Sequence, residues 1–348
     1  VPVLIAKNEL MKKLKYILRW VGIVMVLICL AYLLGPRPNT PVFSKTMPEI
    51  TAEGSSLESW LAKREAAFKL KPDNEARIIW ANDSLKQPTE YAIVYLHGFT
   101  ASQEEGDPVH TTIARRFGAN LYLSRLSMHG IDTSEGLLGL TADSYWESAK
   151  EALAIGKKLG QKVILMGTST GGTQALQLAA AFPDEVYALV LLSPNIAIND
   201  PNAWLLNNPW GVQIARMVIG DKYIVARDTR PIYRQYWSSP YRIEAAVELQ
   251  EMLEQTMKAS TFKKITQPLL LMYYYKDQDN QDNVVRVDAM LDMFEQIQTP
   301  HSLKMKQAMP EAGDHVIGCH LKSKQVDGVI AATSNFMQQV LKIPVVNP

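Results

Sequence analysis

The sequence predicts an α/β fold: a mostly parallel sheet covered by helices on both faces, with a helical insertion late in the order and an apolar segment near the N-terminus. Three observations carry this. Short blocks of Val, Ile, Leu and Tyr recur along the chain, as in strands buried on both faces. Helical patterns alternate with them over about 260 residues, which argues for parallel strands joined by crossover helices. One interval, residues 195–266, has no convincing strand and breaks the rhythm.

Composition bounds the rest. The chain has 348 residues, 47% apolar and 20% charged, with 19 Gly and 19 Pro, values that exclude collagen-like, disordered and disulfide-scaffold proteins. Its two cysteines, Cys29 and Cys319, make no framework, and no Cys/His cluster has metal-ligand spacing. No cofactor or metal is expected. Net charge is +1 but uneven: Lys7, Lys12, Lys13, Lys15 and Arg19 against Glu9 make the first 19 residues +4. The remainder, 31 basic against 34 acidic, is mildly acidic and offers no footprint for nucleic acid.

Residues 1–15 form a basic flank, and residues 16–35 a transmembrane anchor or signal segment. Residues 20–34 carry no charge, and counting back to Tyr16 adds only Arg19, which can snorkel to headgroups. Gly35-Pro36-Arg37-Pro38 ends any helix there. The length suits a span of about 20 residues. A cleaved signal peptide, cut after Cys29-Leu30-Ala31, is the competing reading, and a buried soluble helix a third. Ile28 is too bulky for lipoprotein attachment at Cys29. Met11-Lys12-Lys13 has the look of a natural start, with residues 1–10 an upstream extension. Basic residues before the span place that end in the cytoplasm, so the body is expected outside it under either leading reading. The segment's partner would be membrane lipid.

Residues 36–75 are expected to be a linker and leading helix: 36–56 rich in Pro, Ser and Thr, 57–70 helical in pattern. Strands are predicted at 76–81, 91–96, 120–124, 163–166, 188–192, 269–275 and 302–309, and helices at 109–117, 142–159, 171–182, 287–298 and 323–341. Residues 76–194 and 267–342 then make the core and 195–266 a helical cap, within which 243–258 has helical spacing.

The chemistry sits at strand ends. Val163–Met166 runs into Gly167-Thr168-Ser169-Thr170-Gly171-Gly172 and a small-residue helix. This is G-x-S-x-G between strand and helix, a tight turn that thrusts Ser169 Oγ above the sheet at a helix N-terminus. The bland alternative is a Gly-rich strand–helix turn. A second strand, Tyr91–Leu96, ends in His97-Gly98-Phe99-Thr100, where the Phe99 N–H can join the Thr170 N–H to hold an oxyanion. His97 reads as a brace for that loop. The base candidate is His315, in Pro310-Glu311-Ala312-Gly313-Asp314-His315-Val316 after the last strand. His110, His129, His301 and His320 lack such context and read as structural. The acid must lie between Lys276 and Val285, where Asp277, Asp279 and Asp282 compete. Asp282 is favoured, because Val284-Val285 can pin it to the body. Asp277, closest to the strand end, stays open beside it.

These residues resemble an α/β-hydrolase, of the branch with monoacylglycerol lipases, carboxylesterases and serine aminopeptidase-like enzymes. The resemblance spans roughly residues 76–342. It rests on His97-Gly98-Phe99, Arg125 with His129-Gly130, Gly167 to Gly172, Asp282-Asn283-Val284-Val285 and Gly313-Asp314-His315. It implies Ser169 as nucleophile, Phe99 and Thr170 as oxyanion hole, and residues 195–266 as the cap. The expected activity is hydrolysis of a small-molecule acyl ester through a Ser169–His315–Asp282 triad. An aminopeptidase or thioesterase is the alternative on the same fold. A membrane-tethered binding protein with a vestigial site is the alternative of another class. The cap's Trp204, Trp210, Tyr233, Tyr236, Trp237, Tyr241 and Phe262 either line an apolar pocket or pack the cap helices. Its Arg216, Arg227, Arg230, Arg234 and Arg242 read as a solvated face, and Glu244, Glu248, Glu251 and Glu254 as an exposed helix face. Oligomeric state is not legible.

Overall fold

The computed structural model describes residues 2–346, beginning with α1 (Pro2–Leu33) and α2 (Gly54–Glu65). There follow β1 (Arg77–Ile79), β2 (Thr89–Leu96), α3 (Val109–Phe117), β3 (Asn120–Leu123) and α4 (Ala142–Leu159). Then come β4 (Gly160–Thr168), α5 (Thr170–Ala181) and β5 (Ala188–Leu192). The chain next leaves the sheet for α6 (Gly211–Ile219), β6 (Tyr223–Ile224), α7 (Pro231–Tyr236), β7 (Tyr241–Arg242), α8 (Ile243–Thr256) and α9 (Ala259–Phe262). It returns as β8 (Leu269–Tyr273), α10 (Val287–Gln296), β9 (Lys304–Ala308) and α11 (Val326–Asn335), which continues into a π-helical turn at Phe336–Val340.

The main sheet has strand order β1-β3-β2-β4-β5-β8-β9, with only β1 antiparallel to its neighbour. The period-2 alternation of the strands divides two cores. Ala92, Val94 and Leu96 of β2, with Val163 and Leu165 of β4, face the layer of α4, α5 and α10. Ile93, Tyr95, Ile164 and Met166 face the layer of α3 and α11. Because both faces are covered, the strands read in sequence as unbroken apolar runs. Every strand of this sheet falls within or overlaps a predicted block. Residues 195–266, where no strand was expected, hold helices and also the short antiparallel pair β6–β7, Tyr223 opposite Arg242 and Ile224 opposite Tyr241.

Three local expectations change. The Pro-rich stretch is no free linker: it lies on α4, with Trp146 Nε1 donating to Ser44 O (2.7 Å), Lys150 Nζ to Thr46 O (2.7 Å) and Val42 N to Asp143 (2.6 Å). Its extended backbone has no ladder partner, so α4 side chains supply the hydrogen bonds. The leading helix stops at Glu65 rather than residue 70. Beyond it the chain pairs with the loop after β3, Lys71 N donating to Gly130 O at 2.8 Å. Of the α8 carboxylates only Glu254 is exposed; Glu244 and Glu248 are half-buried and Glu251 buried. Glu248 accepts from Ala142 N, and Glu251 and Glu254 both accept from Asn207 Nδ2. The cap arginines are also largely paired, Arg216 and Arg242 with Glu244 and Arg230 with Asp228.

Within α1, Glu9–Leu33 is 25 residues long, and its most apolar 18-residue stretch has mean hydropathy 2.2 with no part buried. Among the described residues it is the one helix long and apolar enough to cross a membrane, a candidate transmembrane or signal segment.

Candidate active site

The site is built at the C-terminal ends of β2 and β4 and in the loops after β8 and β9. β4 enters α5 through Ser169, held at φ 52, ψ −119. A non-glycine residue at positive φ costs about 1–3 kcal/mol, so packing must enforce it. The flanking glycines show how. A methyl at Gly171 would stand 1.8 Å from Leu96 O, and one at Gly167 2.5 Å from the Gly171 backbone. The turn is therefore pressed against the end of β2, and only glycine fits. Ser169 N donates to Leu192 O, and its carbonyl accepts Gly172 N and Asn195 N, each at 2.9 Å, which locks the residue between β5 and α5.

The turn after β2 is held by two histidines. His97 Nε2 accepts Leu126 N–H at 3.0 Å and its Nδ1 lies 2.9 Å from Gly98 O. His129 Nε2 accepts Thr100 N–H at 3.1 Å while its Nδ1 faces Ser127 O at 2.7 Å. Burial pushes His97 down to about 4 and His129 well below the ordinary imidazole value, so both stay neutral and keep one acceptor nitrogen each. His97 is thus a brace, as read from the sequence. Arg125, ion-paired with Glu65 at 2.6 Å and donating to His129 O, carries the bracing on to α2. The N–H groups of Phe99 and Thr170 have no acceptor among the described residues.

The loop after β8 carries Asp282, almost wholly buried. Its Oδ2 lies 2.6 Å from His315 Nδ1, and its Oδ1 accepts Val284 N (2.9 Å) and Val285 N (3.1 Å). Val285 is buried and pairs with Ile198, which pins the loop. Asp277 is not brought to His315: exposed, it caps its own loop by accepting from Asp279 N, Asn280 N and the Asn280 amide. Burial pulls the His315 pKa down, but the Asp282 charge and hydrogen bond outweigh it and leave the pKa raised. With the proton on Nδ1 facing the carboxylate, His315 Nε2 carries the lone pair; it is buried and has no hydrogen-bond partner among the described residues.

Ser169, Thr170, Phe99 and His315 line one cleft of about 560 Å³, in the size range of small-molecule sites. Apolar cap residues complete its wall, among them Leu206, Ile224, Tyr233, Trp237, Tyr241 and Leu249. The cap aromatics therefore divide: Tyr233, Trp237 and Tyr241 line the cleft, Phe262 packs into the core, and Trp204 and Trp210 are partly exposed. Sequence reasoning missed Glu105, which also lines this cleft. It stands beside Glu104, and nothing local separates the buried acid from its neighbour. Among the described residues, Glu104, Asp107 and His320 bring one metal-ligand atom each within 4.8 Å of one another, but none of the three lines the cleft.

A strained serine between parallel strand and helix, with an imidazole–carboxylate pair across one cleft, defines a hydrolase-type site on a doubly covered sheet. The chain belongs to the alpha/beta hydrolase family, whose pattern it matches over residues 93–332. No curated protein matches the sequence. Among solved structures, one of the metagenome-derived lipolytic enzymes LipS and LipT aligns at 15% identity and TM-score 0.62, covering 77% of this chain and 99% of that one. Est1E from Butyrivibrio proteoclasticus with ferulic acid aligns at 18% identity and TM-score 0.51, covering 77% and 95%. A monoacylglycerol lipase from Paleococcus ferrophilus aligns at 12% identity and TM-score 0.50, covering 74% and 98%. At these identities the likeness is one of fold.

Proposed function

We propose that the chain is a serine hydrolase that cleaves carboxylic esters of lipid-like or other acyl substrates. The single observation that carries the reading is the 2.6 Å contact between His315 Nδ1 and buried Asp282 Oδ2, in a cleft that Ser169 shares. His315 Nε2 takes the Ser169 hydroxyl proton as Oγ attacks the ester carbonyl. The carbonyl π pair moves onto oxygen, which the Phe99 and Thr170 N–H groups receive. The intermediate collapses, the C–O bond to the alcohol breaks, and His315 returns the proton to that alcohol. Water then repeats the sequence on the acyl-enzyme and releases the acid. Asp282 holds the tautomer and stabilises the imidazolium in both halves.

On this reading residues 76–194 and 267–342 are the catalytic core and 195–266 the cap that selects substrate. The apolar wall from Leu206 to Leu249 suits an acyl chain. The segment 16–35 tethers the body to the membrane, outside the cytoplasm, with the basic flank 1–15 inside. The contact between α1 and the cap supports a membrane-facing cap: Trp210 Nε1 donates to Ala31 O at 2.9 Å and Trp210 N to Pro36 O at 2.8 Å. Met217 and Val218 of the adjoining α6 are highly exposed.

Labelling by a fluorophosphonate, followed by hydrolysis of p-nitrophenyl acyl esters of graded length beside thioesters and aminoacyl amides, tests the reading. Labelling confined to Ser169 with fastest turnover on esters is the expected result. No labelling of folded protein would leave a binding protein on a hydrolase fold, and faster turnover of amides would make it an aminopeptidase.

A further inference from the structure

Glu105 has no role in the triad, yet it lines the same cleft as Ser169 and His315. The residue sits in a short 3₁₀ turn, Gln103–Gly106, just beyond the oxyanion turn, and is 2% exposed. Its Oε2 accepts Gly98 N–H at 2.5 Å. A methyl on Gly98 would stand 2.8 and 2.9 Å from the two carboxylate oxygens and 3.1 Å from Ser169 Cβ. Carboxylate and nucleophile therefore flank the same glycine.

Accounting for the backbone donors of this turn shows what the contact does. Gly98 N–H goes to Glu105, Thr100 N–H to His129, and Ala101 N–H to Gly98 O. Among the described residues Phe99 N–H alone of these has no acceptor and is left for a ligand. A buried carboxylate without a Lys or Arg partner is costly, and none forms an ion pair with Glu105 among the described residues. The groups facing it are Tyr95 from β2 and His315 and Asp314 from the loop after β9. Tyr145 of α4, Tyr233 of α7 and Cys319 also feel its charge. The cation available to it is therefore the His315 imidazolium, the species that forms during acyl transfer. Burial pushes Glu105 up to about 7, while the neighbouring His315 charge and the Gly98 N–H favour the carboxylate form.

We propose that Glu105 is a positioning residue of the catalytic centre. By holding Gly98 N–H it presents Phe99 N–H to the oxyanion, and its carboxylate charge stabilises the His315 imidazolium. This rests on the serine-hydrolase reading of the same site and adds a second acid to it.

The test is p-nitrophenyl butyrate hydrolysis by the full-length protein in detergent, comparing wild type with Glu105→Ala and Glu105→Gln. A displaced oxyanion donor lowers kcat by about 10²-fold, with KM little changed, and this is expected of Glu105→Ala. Glu105→Gln keeps an oxygen acceptor for Gly98 N–H, so it should recover most of the lost kcat. Without the charge it should move the acidic limb of kcat/KM to lower pH, a shift that a purely structural role would not produce. Wild-type kcat in Glu105→Ala, or an unmoved acidic limb in Glu105→Gln, overturns the proposal. If Glu105→Ala does not fold, the limb in Glu105→Gln decides alone. Fluorophosphonate labelling of the wild type separates the two readings. Labelled, active wild type with unchanged variants defeats the role of Glu105 only, whereas unlabelled wild type defeats the serine hydrolase and this role with it.

Discussion

Asp282 divides its carboxylate between His315 and its own loop: Oδ2 meets His315 Nδ1 at 2.6 Å while Oδ1 takes the N–H groups of Val284 and Val285. The acid is held rigid before it meets the imidazole, so it can fix one tautomer without reorganising. Replacing Asp282 with Asn should lower turnover by about 10⁴-fold, the scale seen when the orienting acid of a triad is neutralised. Asp277→Asn, on an exposed loop tip, should stay within a few-fold of wild type. Steady-state kinetics on the two variants checks this; the reverse ranking would transfer the role to Asp277.

Ser169→Ala should abolish ester hydrolysis, a loss on the order of 10⁶ in turnover, while circular dichroism and melting temperature stay near wild type. Among the described residues the Ser169 side chain has no hydrogen-bond partner on which the fold depends. Residual activity close to wild type in pure, folded variant would remove Ser169 from the mechanism.

The pH profile follows from His315. Its pKa is raised above the usual 6.5, chiefly because the Asp282 charge and hydrogen bond outweigh burial. Only the neutral imidazole accepts the serine proton. Activity should therefore be present at high pH and fall on acidification, with a midpoint above 6.5. In Asp282→Asn that midpoint should move down, which the residual kcat/KM profile would show. For stability the sign is opposite: a raised pKa favours the fold at pH below the unfolded value of about 6.5, and that contribution fades as pH rises through the folded pKa.

Glu65 and Arg125 form an ion pair whose side chains are only 11% and 8% exposed. Glu65→Ala leaves Arg125 charged and buried, which should cost about 3–5 kcal/mol. Because Arg125 also donates to His129 O, and His129 holds Thr100 N–H, part of the loss should appear in kcat. Denaturant melts and kinetics measure both. Glu9→Ala, which removes the exposed Lys12 pair, should change neither.

Removal of residues 1–36 should yield an active protein that stays in the soluble fraction, since no proposed site residue lies there. The full chain should sediment with membranes and resist a high-salt wash, because burial of an apolar span does not depend on ionic strength. Release of the full chain by salt would reduce the segment to an electrostatic contact. If purified native protein begins near Tyr32, the segment is a cleaved signal.

What the sequence determined by itself is short-range. Apolar blocks such as Val163–Met166, alternating with helical periods, define strands and helices because side-chain period is a local property of backbone geometry. The flanking glycines of Ser169 mark the tight strand–helix turn because only glycine tolerates the approach of Leu96 O to Gly171 and of the Gly171 backbone to Gly167. The Val-Val pair likewise pointed to Asp282, since apolar residues in a polar loop must find cover. Tertiary structure alone decided the rest. Glu104 and Glu105 are neighbours of one chemical type, yet only Glu105 is turned inward, towards Gly98. The Pro-rich stretch reads as a linker, yet α4 binds it through Trp146 and Lys150. The α8 glutamates read as a wet face, yet Asn207 covers Glu251 and the start of α4 covers Glu248. In each case the deciding partner comes from a distant element or from a turn not yet built. Burial, and with it charge state and hydrogen bonding, is set by which surfaces meet, and that is not written in the local pattern of residues.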